Sequence, residues 1–130
     1  MINQIKNLFS LPLFWIGVFI KILTVYYADA DIALEWYVPF LSLAVNDFSI
    51  TPWHDWMIDG GNPSAFPYGT AMVIIFIPIG IIFKSSVISY FLTLFLADVL
   101  ILILIMQMWK DLPQKKILIL YWLSPIVLLF

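Results

Sequence analysis

The chain is organised around residues 26–68, which read YYADADIALEWYVPFLSLAVNDFSITPWHDWMIDGGNPSAFPY. This stretch contains six of the eight acidic residues and the one histidine, His54, but no lysine. Strongly apolar segments lie on both sides of it. An acidic loop between apolar segments, flanked by tyrosine, is typical of a chain that emerges from a membrane. The fold therefore depends on how the flanking segments hold this loop.

The composition predicts an all-α membrane protein. Of the 130 residues, 64% are hydrophobic and 11% are charged, whereas soluble domains average roughly 25% charged residues. A soluble domain of this size cannot bury so much apolar surface. The chain has six lysines, no arginine and no basic stripe, which argues against nucleic acid as a partner. The absence of cysteine excludes a disulfide or a thiolate metal site.

Four apolar segments predict about four transmembrane or re-entrant helices, at residues 8–27, 66–83, 87–109 and 117–130. About twenty helical residues cross a hydrocarbon core of roughly 30 Å. The first and third segments are long enough. The second, which contains Pro78 and Gly80, either spans or re-enters, and the helix is expected to weaken at these two residues. Because the fourth segment stops within an apolar run, we expect residues 1–130 to be a single membrane domain at the N-terminal end of a longer protein.

The first outside loop, residues 28–66, is expected to face the periplasm or its equivalent. Helical spacing predicts short helices that lie in the interface, one at residues 32–46 and one that ends at Gly60. Pro39 either starts the first of these helices or kinks it. In the second, Trp53 and Trp56 are expected to face lipid, with His54 and Asp55 toward water.

Two charged residues lie within the apolar segments. Lys21 either extends its ammonium to the interface, or faces a polar cavity or a lipid phosphate. Asp98 lies at the middle of the third segment, where an ionised carboxylate is unfavourable. We expect Asp98 to be a structural residue that is either paired with Lys21 or protonated and hydrogen-bonded between helices.

The acidic pair Asp29 and Asp31 is the main candidate for chemistry. One carboxylate can act as a general base toward a hydroxyl, and the two together can hold an optional divalent cation, Mg²⁺ or Mn²⁺. Acidic pairs are also common on solvated loops, so the motif alone does not distinguish these roles. Lys21, Tyr27 and Glu35 flank the pair and are the candidate substrate-binding residues.

Three short motifs occur in a fixed order along the chain. They are Tyr27-Ala28-Asp29-Ala30-Asp31 after the first segment, Leu96-Ala97-Asp98-Val99-Leu100 in the third, and Leu123-Ser124-Pro125 in the fourth. This order resembles the N-terminal part of the GT-C superfamily of glycosyltransferases, which use polyprenyl-phosphate sugars, and is most similar to the mannosyltransferases. The chain departs from the mannosyltransferase pattern at Ala28 and Ile32.

The resemblance implies an inverting transfer of a sugar, mannose first among the candidates, from a lipid-linked donor to a hydroxyl acceptor, with a first-loop aspartate as the base. The implied partners are membrane lipid and the lipid-linked sugar donor. Two alternatives stay open. The chain can be a small non-catalytic four-span protein that aids translocation of lipid-linked sugars, or a subunit that stabilises a partner complex.

Overall fold

The computed structural model describes residues 7–27, 33–46, 51–64 and 69–124, and every regular element in these ranges is helical. The all-α prediction is confirmed for them. The elements are α1 (Pro12–Tyr27), a first π-helical turn (Ala33–Tyr37), α2 (Val38–Asn46), α3 (Trp53–Ile58), α4 (Gly69–Phe83), α5 (Ser86–Met108), α6 (Gln114–Ile117) and a second π-helical turn (Leu118–Trp122).

The chain divides into two compact units. The first unit contains Met1–Asp29 and Leu96–Phe130, and the second contains Ala30–Phe95. The division falls within α5, between Phe95 and Leu96.

Helix α5 is long and apolar enough, by length and composition, to cross a membrane. Its 23 residues extend over roughly 35 Å. Its bounds confirm the prediction for residues 87–109 to within one residue at each end. Helices α1 and α4 are also apolar but shorter, at 16 and 15 residues. Helix α1 begins at Pro12 because proline has no N–H to donate and its φ is already helical.

The core of the second unit lies between α2 and α4. Its fully buried side chains are Phe40, Leu41, Ala44, Val73 and Phe76. Helix α5 adds Tyr90, whose ring stacks on Phe76 with centroids 5.6 Å apart. The Ser89 hydroxyl donates a hydrogen bond to the Phe76 carbonyl, which satisfies a polar group that is fully buried.

Helix α4 continues through Pro78 and Gly80 to Phe83, so the expectation that these residues weaken its far end is wrong. Gly80 instead allows a close approach between neighbouring side chains. A Cβ on Gly80 would lie 2.4 Å from Val45 Cγ2 and 3.1 Å from Ser89 Oγ. Packing therefore holds the helix together where intrinsic propensity alone disfavours it.

The helix does not break at Pro39. The chain forms a π-helical turn at Ala33–Tyr37 and then continues as α2. Because proline has no N–H, the usual helical hydrogen bond cannot form at Pro39. π-helical turns are rare and occur mostly as single turns adjoining α-helix, as this one does.

Two helices of the second unit end in the same way. After α3, Gly60 has φ +78°, and the Gly61 N–H donates to the Trp56 carbonyl at 2.8 Å. After α4, Lys84 has φ +50°, and the Ser85 N–H donates to the Gly80 carbonyl at 3.2 Å. This is the hydrogen bond of the Schellman motif, in which the left-handed residue is usually glycine. The sequence predicts the first of these ends from its glycine and the second from the end of the apolar run at residue 83, but not the left-handed backbone at Lys84.

Replacing Lys84 with glycine is expected to stabilise the turn between α4 and α5. A side chain in the left-handed region costs about 1–2 kcal/mol that glycine does not incur, offset in part by the greater backbone entropy of unfolded glycine. We expect a net gain of about 0.5–1 kcal/mol, measured by thermal unfolding in detergent. Lys84→Ala is the control for loss of the charge, and an equal gain with alanine would contradict the backbone explanation.

Candidate functional site

The first compact unit contains an ion pair between two apolar helices. The Lys21 Nζ of α1 lies 2.7 Å from the Asp98 Oδ2 of α5, and the two residues are 77 positions apart in the sequence. The Lys21 side chain is only 8% exposed and that of Asp98 is 23% exposed. The predicted pairing is confirmed, and the alternative of a lysine that extends to the interface is wrong. The long lysine side chain reaches the carboxylate within the unit.

The pairing follows from the cost of burying a charge. A charged side chain that is buried among apolar groups is costly unless it is paired. Contact between the two charges satisfies both at once, whereas an uncompensated buried charge is strongly destabilising. Lys21 and Asp98 therefore fix which faces of α1 and α5 meet.

The indole of Trp122 lies over the Lys21 ammonium of this pair. Its Nε1–H donates to the Phe14 carbonyl at 2.9 Å, and its ring stacks on Phe14 with centroids 5.2 Å apart and planes 10° apart. The Lys21 Nζ lies 5.0 Å from the indole centroid, within the range of a cation–π interaction. Trp122 itself is fully buried.

Gly17 makes room for this tryptophan. A Cβ at Gly17 would lie 2.1 Å from Trp122 Nε1, far closer than atoms can approach. Phe14, Gly17 and Lys21 follow one another at helical spacing and are the three buried residues of α1. One face of α1 therefore provides all three contacts of the indole. Phe14 stacks on the ring, Gly17 leaves space for it, and Lys21 places its ammonium over it.

The opposite face of α1 is apolar and exposed. Its large side chains recur at helical spacing, namely Trp15, Phe19, Ile22 and Tyr26, with exposures of 56–79%. The helix thus places its charge inward and its hydrophobic surface outward, the reverse of a helix on a water-soluble protein.

The predicted catalytic pair, Asp29 and Asp31, lies outside the described residues, as does any cation bound to it. Helix α1 ends at Tyr27, two residues before Asp29. Tyr27 is 76% exposed, and its ring meets that of Tyr26 edge to face at 4.9 Å. Glu35 is exposed in the first π-helical turn of the second unit. Substrate contacts by Lys21, Tyr27 and Glu35 stay predictions, and the Lys21 ammonium already contacts Asp98.

The short helix α3 corrects one expectation about the loop. Trp53 and Trp56 pack against Phe40, with ring centroids 5.3 and 5.8 Å away, instead of facing lipid. Both indoles are half-buried against the α2–α4 core. His54 and Asp55 are exposed as predicted, with the imidazole Nδ1 3.3 Å from the Asp55 carboxylate. Within the described ranges, no group of three His, Cys, Asp or Glu side chains could hold a metal ion.

Sequence reasoning missed Trp122 and Gly17. The helical spacing of Phe14, Gly17 and Lys21 is visible in the sequence and could have indicated that they share a face. Nothing in the sequence shows that Trp122, more than 100 residues later, packs on that face.

Comparison of the chain with protein-family models, with curated proteins and with solved structures finds no match. Any functional conclusion therefore comes from the residues and their arrangement.

Removing one partner of the ion pair is expected to destabilise the protein more than removing both. Lys21→Met or Asp98→Leu alone leaves a buried charge uncompensated, which costs about 3–5 kcal/mol. The loss of unfolding free energy should lie at the lower end of this range, because the Asp98 side chain is 23% exposed. The double variant should recover most of the loss, measured by thermal unfolding in detergent. Lys84→Met, at an exposed lysine, is the control. A double variant that loses the sum of the two single effects would contradict this account.

Proposed function

We propose that the chain is part of a multi-span membrane glycosyltransferase of the GT-C type, in which Asp29 and Asp31 form the catalytic acidic pair. The observation that carries the proposal is the attachment of α1. This helix ends at Tyr27 and is joined to α5 by the Lys21–Asp98 ion pair. Since Asp29 follows two residues later, the acidic pair emerges from a helix end that a buried contact holds in place.

In the proposed reaction, the acceptor hydroxyl attacks the anomeric carbon of a polyprenyl-phosphate sugar. A bond forms between the acceptor oxygen and that carbon, and the bond from the carbon to the phosphate oxygen breaks. The hydroxyl proton passes to an aspartate of the pair, and the lipid phosphate leaves with the bonding electrons. Attack opposite the leaving group inverts the anomeric centre. General-base assistance of this kind contributes roughly 10² to 10⁴ in rate.

The remaining candidate residues have separate roles in this proposal. Tyr27 and Glu35 are exposed and are available to contact the sugar or the acceptor. Lys21 acts as a positioning residue through Asp98, since its ammonium is buried in that contact. Mannose is the preferred sugar, and a divalent cation at the acidic pair is optional.

We also propose that α1 and α5 cross the membrane and that α4 re-enters from the outer side. Helices α1 and α4 are nearly equal in length, at 16 and 15 residues, so the distribution of the lysines, not helix length, favours re-entry of α4. With the N-terminus inside, this arrangement places the acidic loop outside. Lys110, Lys115 and Lys116 are then inside, in agreement with the positive-inside rule.

Single cysteines test this topology, because the native chain has none. Ser49→Cys and Ser85→Cys are expected to react with an impermeant maleimide in intact cells, and Gln114→Cys only after lysis. The reverse result for Ser85 and Gln114 would show that α4 spans. Protection of Ser49→Cys in intact cells would contradict the outside position of the loop.

The catalytic proposal predicts that Asp29→Asn or Asp31→Asn lowers transfer from a radiolabelled polyprenyl-phosphate sugar. Asparagine keeps the shape of aspartate but cannot accept the proton. The change at the base should lower turnover by about 10²- to 10⁴-fold, while the other position loses less. The assay uses membranes from cells that produce the protein.

Asp55→Asn and Asp59→Asn are the matched controls, because both side chains are exposed on or beside α3, and both variants should keep their activity. Near wild-type transfer by the Asp29→Asn, Asp31→Asn double variant would exclude this site. A non-catalytic role in moving lipid-linked sugars would then be favoured.

A further inference from the structure

A second feature of the first unit lies outside the acidic loop. An apolar groove with a volume of about 310 Å³ runs along the end of α5, the link at residues 109–117 that follows it and includes α6, and the second π-helical turn. Its walls are Ile105, Trp109, Leu112, Ile117, Leu120 and Tyr121. The volume is at the lower limit of known ligand pockets, which begin at about 300 Å³. The groove is open at the surface, where Trp109 and Leu120 are 52% and 65% exposed.

Three of the six lysines of the chain lie on the link beside this groove. Lys110 directly follows the wall residue Trp109, and Lys116 directly precedes the wall residue Ile117, with Lys115 next to it. All three are exposed, and the ion pairs found among the described residues involve none of them. Asp111 is the one acidic residue of the link, so the link carries a net charge of +2.

We propose that this groove binds an anionic bilayer phospholipid. An acyl chain would occupy the apolar groove, and the lysines would contact the phosphate. The argument rests on charge complementarity beside an apolar channel. A basic cluster next to a membrane helix attracts anionic lipids by about 1 kcal/mol per lysine, and an aromatic residue such as Trp109 is typical of the headgroup level.

The choice of a bilayer phospholipid over the sugar donor follows from position. In the proposed topology the link lies on the inner side, whereas the acidic loop lies outside. The groove is therefore remote from the catalytic pair in that topology, and its occupant is a structural or regulatory lipid. The inference does not depend on glycosyl transfer, since binding can be measured without activity.

Native mass spectrometry of the detergent-purified full chain tests the proposal. The protein is mixed with equal concentrations of dioleoylphosphatidylglycerol and dioleoylphosphatidylcholine, and the lipid adducts are compared. We expect the anionic lipid to be preferred. Lys115→Gln or Lys116→Gln should lower the preference by about fivefold each. Lys84→Gln, at an exposed lysine outside the groove, should leave it unchanged.

A groove-filling variant distinguishes binding of an acyl chain in the groove from simple electrostatic attraction of the lipid to the lysines. Leu120→Trp is suitable because Leu120 is 65% exposed, so the larger side chain has room without disturbing the core. It should reduce the anionic adducts while the circular dichroism spectrum stays helical. Equal binding of the two lipids, no effect of the lysine changes, or full binding by Leu120→Trp would each overturn the proposal. So would preferential retention of a polyprenyl phosphate when that lipid is added in competition.

Discussion

The contact between Lys21 and Asp98 determines how the first compact unit is built. Each residue is the one charged residue of its helix, and each would be costly to bury there alone. Because the ammonium and the carboxylate must meet, the rotation of α1 and of α5 about their axes is fixed by one contact of 2.7 Å. Apolar packing by itself specifies such rotations poorly when many similar aliphatic side chains surround a helix.

Trp122 attaches the second π-helical turn to the face of α1 that carries Lys21. Its indole satisfies a backbone carbonyl of α1, stacks on Phe14 and lies over the Lys21 ammonium. Gly17 is the condition for all three contacts, since any side chain there would occupy the position of the indole. A glycine in a helix lowers its intrinsic stability by roughly 1 kcal/mol. Here the close contact with Trp122 explains why α1 has a glycine at this position.

The second unit is held by different means. Its core is apolar and aromatic, with Phe40 and Phe76 buried in it and Tyr90 packed against it. Among its described residues, a close approach at Gly80, and not an ion pair, brings its elements together. The tryptophans of α3 are half-buried and pack against this core. The acidic loop is therefore a folded structure with its own packing over the described part. Such a loop can present exposed polar side chains, among them Glu35 and His54, from a fixed framework.

The sequence by itself determined the helical class, the bounds of α5, the short helices of the loop and the end of α3 at Gly60. These features depend on composition, local periodicity and residues with special backbone conformations, all of which can be read along the chain. Only the tertiary structure decided that Lys21 turns inward, that Trp53 and Trp56 pack on Phe40, and that Trp122 fills the space above Gly17. Helical spacing shows which residues share a face, but the partner of that face is set by contacts between residues far apart in the sequence.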